Sequence, residues 1–307
     1  MQCTLATDIA RRGSNFTIRK FTEEPLTPTH LLKFGTIDVK TLAYLWFVVD
    51  TGKSILVSGG TASGKTSFLN VLSLFIRPEK KIISIEDTGE LRLPHPHWIP
   101  TVARTAISTE GKTGEVDLFD LLKESMRQRP DYIIVGEVRG KEAYILFQQM
   151  ATGHPSLATI HAENLPKLMD RLTTPPISLE PSLIESADLI IFLSVMHYKN
   201  KFIRKVLEVI EIAGFDQKTK FPIINLVSKW DPKVDKFDIV GKSFLLKKIS
   251  NFTGVTEKEI RDEIERRIIV LSWLQKHNIY DYVDIYKVFS LYYRDPKKLL
   301  SMIEGEF

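Results

Sequence analysis

The amino-acid sequence predicts an α/β fold with a mainly parallel central sheet, on the basis of two observations. Short apolar runs typical of buried strands alternate with helix-like segments from about residue 54 to about residue 195. The chain has 307 residues, of which 43% are hydrophobic, and this suffices to bury the core of one large domain and a smaller appendage. Strands that alternate with helices favour a sheet sandwiched between helical layers.

Before the alternating region, the sequence predicts a strand and two helices. Phe16 to Phe21 has the alternation of a strand. Thr27 is a candidate N-cap, Pro28 fits the first position of a helix, and Gly35 can end that helix. A second helix is expected over residues 38–49.

The alternating region supplies the predicted sheet and the helices that cover it. Its strands are expected at residues 54–58, 81–86, 98–102, 132–135, 156–161 and 189–195, and its helices at residues 66–75 and 117–129. After residue 198 two more strands are expected, at 206–212 and 223–230, and Gly214-Phe215-Asp216 is expected to turn the chain between them.

The last part of the chain is predicted to be helical. Thr256 and Glu259 form a capping box. One apolar stripe then contains Ile260, Ile264, Ile268 and Leu271, and the pairs Asp262–Arg266 and Glu263–Arg267 are expected on the exposed face. A further helix is expected over 282–300, with a break near Asp295-Pro296. We therefore predict an N-terminal remnant and linker at 1–35, the main α/β domain at 36–240, and a small C-terminal helical subdomain at 241–307.

Residues 59–66 satisfy the phosphate-binding pattern G-x-x-x-x-G-K-[ST], with an apolar strand before them and a helix after them. Small residues allow successive backbone N–H groups to converge on phosphate oxygens, and the helix N-terminus adds a positive dipole. Lys65 is expected to reach the β- and γ-phosphates, and the Thr66 hydroxyl is expected to complete a Mg²⁺ shell. The residues predicted to bind the nucleotide are Gly59, Gly60, Thr61, Ala62, Ser63, Gly64, Lys65, Thr66 and Ser67.

Two acidic segments follow apolar strands of the predicted sheet. Glu137 closes the run 132–136, where an acid of a P-loop protein holds the metal ion directly or through water. Residues 86–90 follow another strand, and a carboxylate there can orient the attacking water. Carboxyl ends of parallel strands share one edge of a sheet, and ligands bind at that edge. From the residues alone, segment 86–90 is equally consistent with a solvated acidic turn.

Composition limits the classes of function. Cys3 is the only cysteine, so neither an intrachain disulfide nor a multi-cysteine zinc site is expected. The net charge of +4 is mild and no dense basic stripe with interleaved aromatic residues is visible, so we expect no nucleic-acid partner. The longest apolar run, Leu42 to Val49, is far shorter than the ~20 residues of a membrane span, and no signal peptide is visible. We therefore expect a cytoplasmic protein whose membrane contact is peripheral.

The order of the motifs resembles that of the secretion "traffic" ATPases, which drive type II secretion, type IV pili and type IV secretion. In that family an aspartate-rich box, a Gly-Glu-x-Arg box and a histidine box follow the P-loop. Here these boxes correspond to residues 86–90, 136–139 and 152–164, and the resemblance covers about Phe16 to the C-terminus. It implies a RecA-like P-loop NTPase core with ATP and Mg²⁺ as cofactors.

Three segments are most similar to the archaeal branch of this family, which assembles pili and the archaellum. They are residues 11–21, 98–100 and 292–296. Three features depart from the family pattern, and one of them is that the cysteine-rich metal module of some bacterial relatives is absent. Ala62 stands where many members have glycine, which matters only if that residue requires a positive φ. We also expect the large N-terminal domain of typical members to be missing or vestigial in this chain.

The resemblance also implies roles for individual residues. Glu90 is expected to activate water, Glu137 to be the acid associated with Mg²⁺, and His161 to contact or sense the γ-phosphate, with His154 nearby. Four arginines are candidates for phosphate contacts or for reaching a neighbouring subunit, since a guanidinium stays charged and forks onto two oxygens. They are Arg104, Arg139, Arg12 and Arg19.

The resemblance favours a motor for secretion or for pilus or archaellum assembly that acts as a homo-oligomer, expected to be a hexamer. Its partner would be a polytopic membrane platform protein of such a system. Two alternatives remain open at this point. One is a RecA-type ATPase that depends on nucleic acid, which stimulation by DNA would support. The other is a nucleotide-binding adaptor with little turnover.

Overall fold

The computed structural model describes residues 2–6, 13–19, 24–104, 114–240 and 242–305, and it has the predicted α/β architecture. Within these ranges, β1 (Gln2–Ala6) and β2 (Asn15–Arg19) pair antiparallel in a small separate sheet. The strands of the main sheet are β3 (Ile55–Gly59), β4 (Ile82–Glu86), β5 (Trp98–Val102), β6 (Tyr132–Val138), β7 (Ser156–Ile160), β8 (Leu189–Tyr198), β9 (Lys201–Asp216), β10 (Phe221–Asp231) and β11 (Lys236–Ile239).

The main sheet is parallel in one part and antiparallel in the other. Its strand order is β11-β10-β9-β8-β3-β7-β6-β4-β5. Neighbouring strands from β8 to β5 run parallel, whereas β9, β10 and β11 extend the sheet by antiparallel pairing. Every residue of β3, β4 and β7 is buried, which explains why these strands are continuous apolar runs in the sequence.

Helices cover both faces of the main sheet. They are α1 (Pro28–Lys33), α2 (Val39–Asp50), α3 (Lys65–Leu74), α4 (Leu118–Ser125), α5 (Glu142–Ala151), α6 (Leu165–Thr173), α7 (Phe244–Thr253), α8 (Glu257–Lys276), α9 (Tyr282–Arg294) and α10 (Pro296–Glu304). Ile55 and Val57 of β3 join one apolar core with α2, α3, α8 and α9. Leu56 of the same strand joins a second core with α4, α5 and α6. Successive side chains of a strand point to opposite faces, so β3 contributes to both cores.

The C-terminal helices share the first core with the helix that follows the P-loop pattern. Trp46 of α2 stacks on Phe75 at the end of α3, with ring centroids 5.4 Å apart. The Trp46 indole N–H donates to the Tyr293 hydroxyl oxygen over 2.7 Å, and the Tyr293 hydroxyl donates to the Phe75 backbone oxygen over 2.5 Å. These bonds join α9 to the C-terminal end of α3. The boundary at residue 241 stays a prediction.

The predicted strands from β2 to β10 and the helices α1 to α4, α8, α9 and α10 are found close to their expected positions. Helices α5, α6 and α7 and strands β1 and β11 were not predicted. The turn expected at residues 214–216 is wrong, because β9 continues to Asp216 and the chain turns at residues 217–220. In the pairing of β9 with β10, Gly214 lies opposite Ile223 and Ile212 opposite Ile224, so a bulge occupies this position. A glycine within a strand pattern can mark such a bulge as well as a turn.

The expected position of Arg267 on the exposed face of its helix is also wrong. Its side chain is only 2% exposed and donates over 2.6 Å to Asp50, at the end of α2, and over 3.1 Å to Glu263. Arg77 donates to the other oxygen of Asp50 over 2.5 Å. The Tyr292 hydroxyl donates to Glu263 over 2.7 Å. A buried ion cluster therefore connects α2, the segment after α3, α8 and α9.

The Asp50→Ala variant is expected to lose about 3–5 kcal/mol of unfolding free energy, because it leaves the buried Arg267 guanidinium without its main counter-charge. Urea denaturation followed by circular dichroism would measure the loss. The matched control is Glu124→Ala, which removes an exposed pair with Arg127 and should cost less than about 1 kcal/mol. Equal stability of the two variants would show that the buried cluster does not hold the helices together.

Candidate functional site

Segment 59–66 joins the buried strand β3 to α3, as the phosphate-binding pattern requires. Helix α3 begins at Lys65, and Gly64 before it has a φ of 93°. Glycine adopts this left-handed conformation without steric cost. At Gly59 an added Cβ would overlap the backbone oxygen of Leu193, so no side chain fits there. Glycine is therefore required at two positions of the pattern for different reasons: the positive φ at Gly64 and the lack of space for a side chain at Gly59.

Ala62 adopts a left-handed conformation with a φ of 60°. The departure from glycine noted in the sequence therefore matters, because an L-residue in this region costs about 1–2 kcal/mol. The Arg204 Nε–H donates to the Ala62 backbone oxygen over 3.0 Å. The strained residue is thus held by a side chain from β9.

A cavity of about 1210 Å³ opens over this loop, at the carboxyl ends of β4, β6 and β7. The structure brings most of the predicted site residues together around it. Those that line the cavity are Thr61, Ala62, Ser63, Gly64, Lys65, Thr66, Ser67, Glu90, Glu137, Arg139 and His161. The two acidic segments predicted to share one sheet edge therefore do so, and Glu90 and Glu137 face the same space as the loop.

Charged groups in the cavity shift one another's ionisation. Burial is the main cause that lowers the pKa of Lys65, and the charges of Arg139 and Arg171 add to it, whereas Glu137 opposes it. Burial acts to raise the pKa of Glu137, but a hydrogen bond from Arg139 and the charges of Arg139 and Lys65 lower it overall. Glu137 is therefore held in its ionised form. The Lys65 ammonium also donates to the Gly60 backbone oxygen over 2.8 Å.

Glu86 is a site residue whose role the sequence did not reveal. It is the last residue of β4, it is only 2% exposed, and its carboxylate accepts from the backbone N–H groups of Glu90 and Leu91 over 2.9 and 3.0 Å. Burial raises the pKa of Glu86 despite these two bonds. Glu86 thereby fixes the turn that carries Glu90. The sequence did contain one signal for this role, because Glu86 lies within the apolar strand and not after it.

The two histidines lie at opposite ends of β7. His161 follows the carboxyl end of the strand and lines the cavity, whereas His154 precedes its amino end, is exposed, and bonds to the Thr152 hydroxyl over 3.0 Å. The expectation that His154 lies near His161 is wrong, because a five-residue strand separates them by more than ~16 Å.

The arginine candidates occupy different places in the structure. Arg139 lines the cavity and pairs with Glu137 over 2.5 Å and with Asp87 over 3.4 Å. Arg104 does not line the cavity, and its Nε–H donates to the Gly114 backbone oxygen over 2.7 Å. Arg12 lies outside the described residues. Arg19 lies in β2, and its side chain is not described. The three arginines other than Arg139 remain candidates only.

One wall of the cavity comes from regions in which the sequence indicated no site residue. Leu31 and Phe34 belong to α1 and the turn after it, and Phe202 and Arg204 belong to β9. Phe202 lines the cavity and is 80% exposed. No local pattern could have shown this wall, because its residues come from two segments that lie far apart in the sequence, the α1 region and β9.

The donor set of the cavity fits a magnesium ion. Mg²⁺ prefers oxygen ligands and usually takes one or two from protein, with the rest from water and phosphate. The Thr66 hydroxyl and the ionised Glu137 carboxylate line the same space and supply such oxygens. They are the residues that would hold the ion.

Comparison with known proteins agrees with this geometry. Residues 4–205 match the family described as type II/IV secretion system protein. An uncharacterised protein of Methanocaldococcus jannaschii is 43% identical over 249 residues, which make up 81% of this chain and 92% of that protein. A second uncharacterised protein of the same organism is 37% identical over 292 residues, or 94% of this chain and 52% of that protein. The chain thus spans about half the length of this second relative.

More distant relatives have names that refer to secretion. The type IV secretion system protein PtlH of Bordetella pertussis is 40% identical over 132 residues, or 42% of this chain and 38% of that protein. The solved structure of the ATPase DotB from Yersinia pseudotuberculosis has a TM-score of 0.50 and 17% identity, covers 94% of this chain and 69% of that chain, and confirms the predicted fold. Because the family match covers more than half of the sequence, this chain belongs to the type II/IV secretion system protein family.

Proposed function

We propose that this protein is an ATP-hydrolysing motor for a type II/type IV-like secretion system or for pilus or archaellum assembly. The observation that carries the proposal is that the P-loop, Glu90 and Glu137 line one cavity. Its volume of about 1210 Å³ suits a ligand as large as a nucleotide, since small-molecule sites usually measure ~300–1,000 Å³. The relatives in M. jannaschii support an archaeal type of machine.

In this proposal the loop residues bind the triphosphate and the acids serve the reaction. Backbone N–H groups of residues 60–66 and the N-terminus of α3 surround the phosphates. Lys65 lines the same cavity as Glu137 and neutralises charge on the β- and γ-phosphates. Bound Mg²⁺ would add charge neutralisation at the phosphate oxygens, held by Thr66 and Glu137.

Glu90 is the group that orients the attacking water. Glu86 fixes the backbone of its turn through two hydrogen bonds, so the Glu90 side chain extends from a fixed backbone. His161 faces the terminal phosphate from the end of β7, and Arg139 stabilises charge from the end of β6. This arrangement needs no covalent intermediate, since phosphoryl transfer depends on positioning and electrostatics.

The working form would be a homo-oligomer, a hexamer in our proposal, at the cytoplasmic face of the membrane. Within the described residues no helix is both long enough and apolar enough to cross a membrane. In our proposal the partner at the membrane is a polytopic platform protein of such a system. Arg12, Arg19 and Arg104 are the candidates for completing the site of a neighbouring subunit.

The test is ATP turnover by the full chain with and without Mg²⁺, combined with light scattering with and without a non-hydrolysable ATP analogue. We expect Mg²⁺-dependent release of phosphate and an oligomer whose mass increases when the analogue is bound. Nucleotide binding without turnover would support the adaptor instead. Stimulation by DNA that falls steeply with salt would support a nucleic-acid motor.

A further inference from the structure

We propose that Arg204 is a positioning residue of the phosphate-binding loop, which it stabilises by holding Ala62 in its left-handed conformation. The inference rests on the proposed function, because it concerns the same nucleotide site. It assigns a role to the antiparallel part of the sheet, which carries none of the P-loop or acidic motifs.

The geometry places Arg204 along the loop. β8 pairs with β3 on one side and with β9 on the other, so the start of β9 lies next to the strand that leads into the loop. The Arg204 Nε–H donates to the Ala62 backbone oxygen over 3.0 Å. The Arg204 Cδ lies 3.2 Å from the position that a Cβ on Gly64 would occupy. The arginine side chain thus follows the backbone from residue 62 to residue 64.

The hydrogen bond from Arg204 is made to Ala62, the residue of the loop whose backbone conformation is strained. Ala62 has a φ of 60°, whereas the other left-handed residue of the loop, Gly64, has no side chain to strain it. For alanine the steric cost of this region corresponds to about a 5- to 30-fold shift in population toward a relaxed backbone. A hydrogen bond from a charged donor opposes that shift, because such bonds are stronger than neutral ones.

Arg204 is therefore expected to increase the affinity of the loop for nucleotide. A loop that populates its binding-competent form only in part binds its ligand more weakly in proportion to that fraction. Removal of the arginine should therefore weaken binding through the backbone at position 62. Glycine at position 62 has no such strain, so the loss should shrink in that background.

A double-mutant cycle tests this coupling in the full chain. Arg204→Gln, Ala62→Gly and the double variant would be compared with wild type by calorimetric titration with ADP and with a non-hydrolysable ATP analogue. Arg204→Gln is expected to weaken both ligands by about tenfold, and by only about twofold in the Ala62→Gly background. Lys201→Gln removes the same charge from an exposed position of the same hairpin and is expected to leave both affinities within about twofold of wild type.

Each other outcome overturns the inference. An Arg204→Gln affinity equal to wild type would show that the loop does not need the arginine. An equal loss in the wild-type and Ala62→Gly backgrounds would show that Arg204 does not act through residue 62. A loss confined to the ATP analogue would indicate direct contact with the γ-phosphate instead. If the wild-type protein bound neither ligand, the proposed nucleotide site would be wrong. If wild type bound both ligands and Arg204→Gln bound them equally well, only this inference would be wrong.

Discussion

The Lys65→Ala variant is expected to reduce ATP turnover by about 100- to 1,000-fold or more, because it removes a preorganised positive charge from the developing phosphoryl charge. The lysine lines the cavity, and burial together with the charges of Arg139 and Arg171 lowers its pKa. Phosphate release under saturating Mg²⁺ and ATP measures the effect.

The fold should survive this substitution. The Lys65 side chain donates one hydrogen bond, to Gly60 of its own loop, and it belongs to neither apolar core. Lys287→Ala is the matched control, since it removes an exposed lysine on α9 that pairs with Asp284 over 2.8 Å. Normal turnover by Lys65→Ala would rule out the P-loop as the catalytic site.

Replacement of Glu90 by glutamine is expected to lower kcat by about 100- to 10,000-fold, the range over which a positioned acid–base group contributes. Glutamine keeps the shape of the side chain and loses its negative charge. The affinity for the ATP analogue should therefore stay within about threefold of wild type, because the loop and Lys65 still hold the phosphates.

Glu124→Gln is the matched control for Glu90→Gln. Glu124 lies on the exposed surface of α4, pairs with Arg127, and does not line the cavity. The same chemical change there should leave turnover within about twofold. If Glu90→Gln retained full turnover, another acid of the cavity would have to orient the water, and Glu86 and Glu137 would be the next variants to measure.

The parallel part of the sheet and the phosphate-binding loop were predictable because their signals are local. A strand buried on both faces is a continuous apolar run, as β3 is, and the loop carries its pattern in eight consecutive residues. The proximity of Glu90 and Glu137 was predictable from the sheet topology, because the carboxyl ends of parallel strands lie at one edge of the sheet.

Features that depend on distant partners were not predictable. Arg267 has the charge and spacing of a surface residue, but its partner Asp50 lies 217 positions earlier in the chain. The pairing of β9 with β8 creates the wall that holds Arg204, and a bulge beside Gly214 replaces the expected turn. In each case the deciding contact exists only in the folded protein.

The bond between Tyr293 and Phe75 gives α3 a fixed support at the end opposite the loop. The helix starts at Lys65 and stops at Leu74, so its length is about 15 Å. The helix is buried from Phe68 to Leu74, and this packing together with the bond at its C-terminal end resists displacement of the helix along its axis. If phosphate binds at Lys65 as proposed, a force on the C-terminal helices would be transmitted through α3 to the loop.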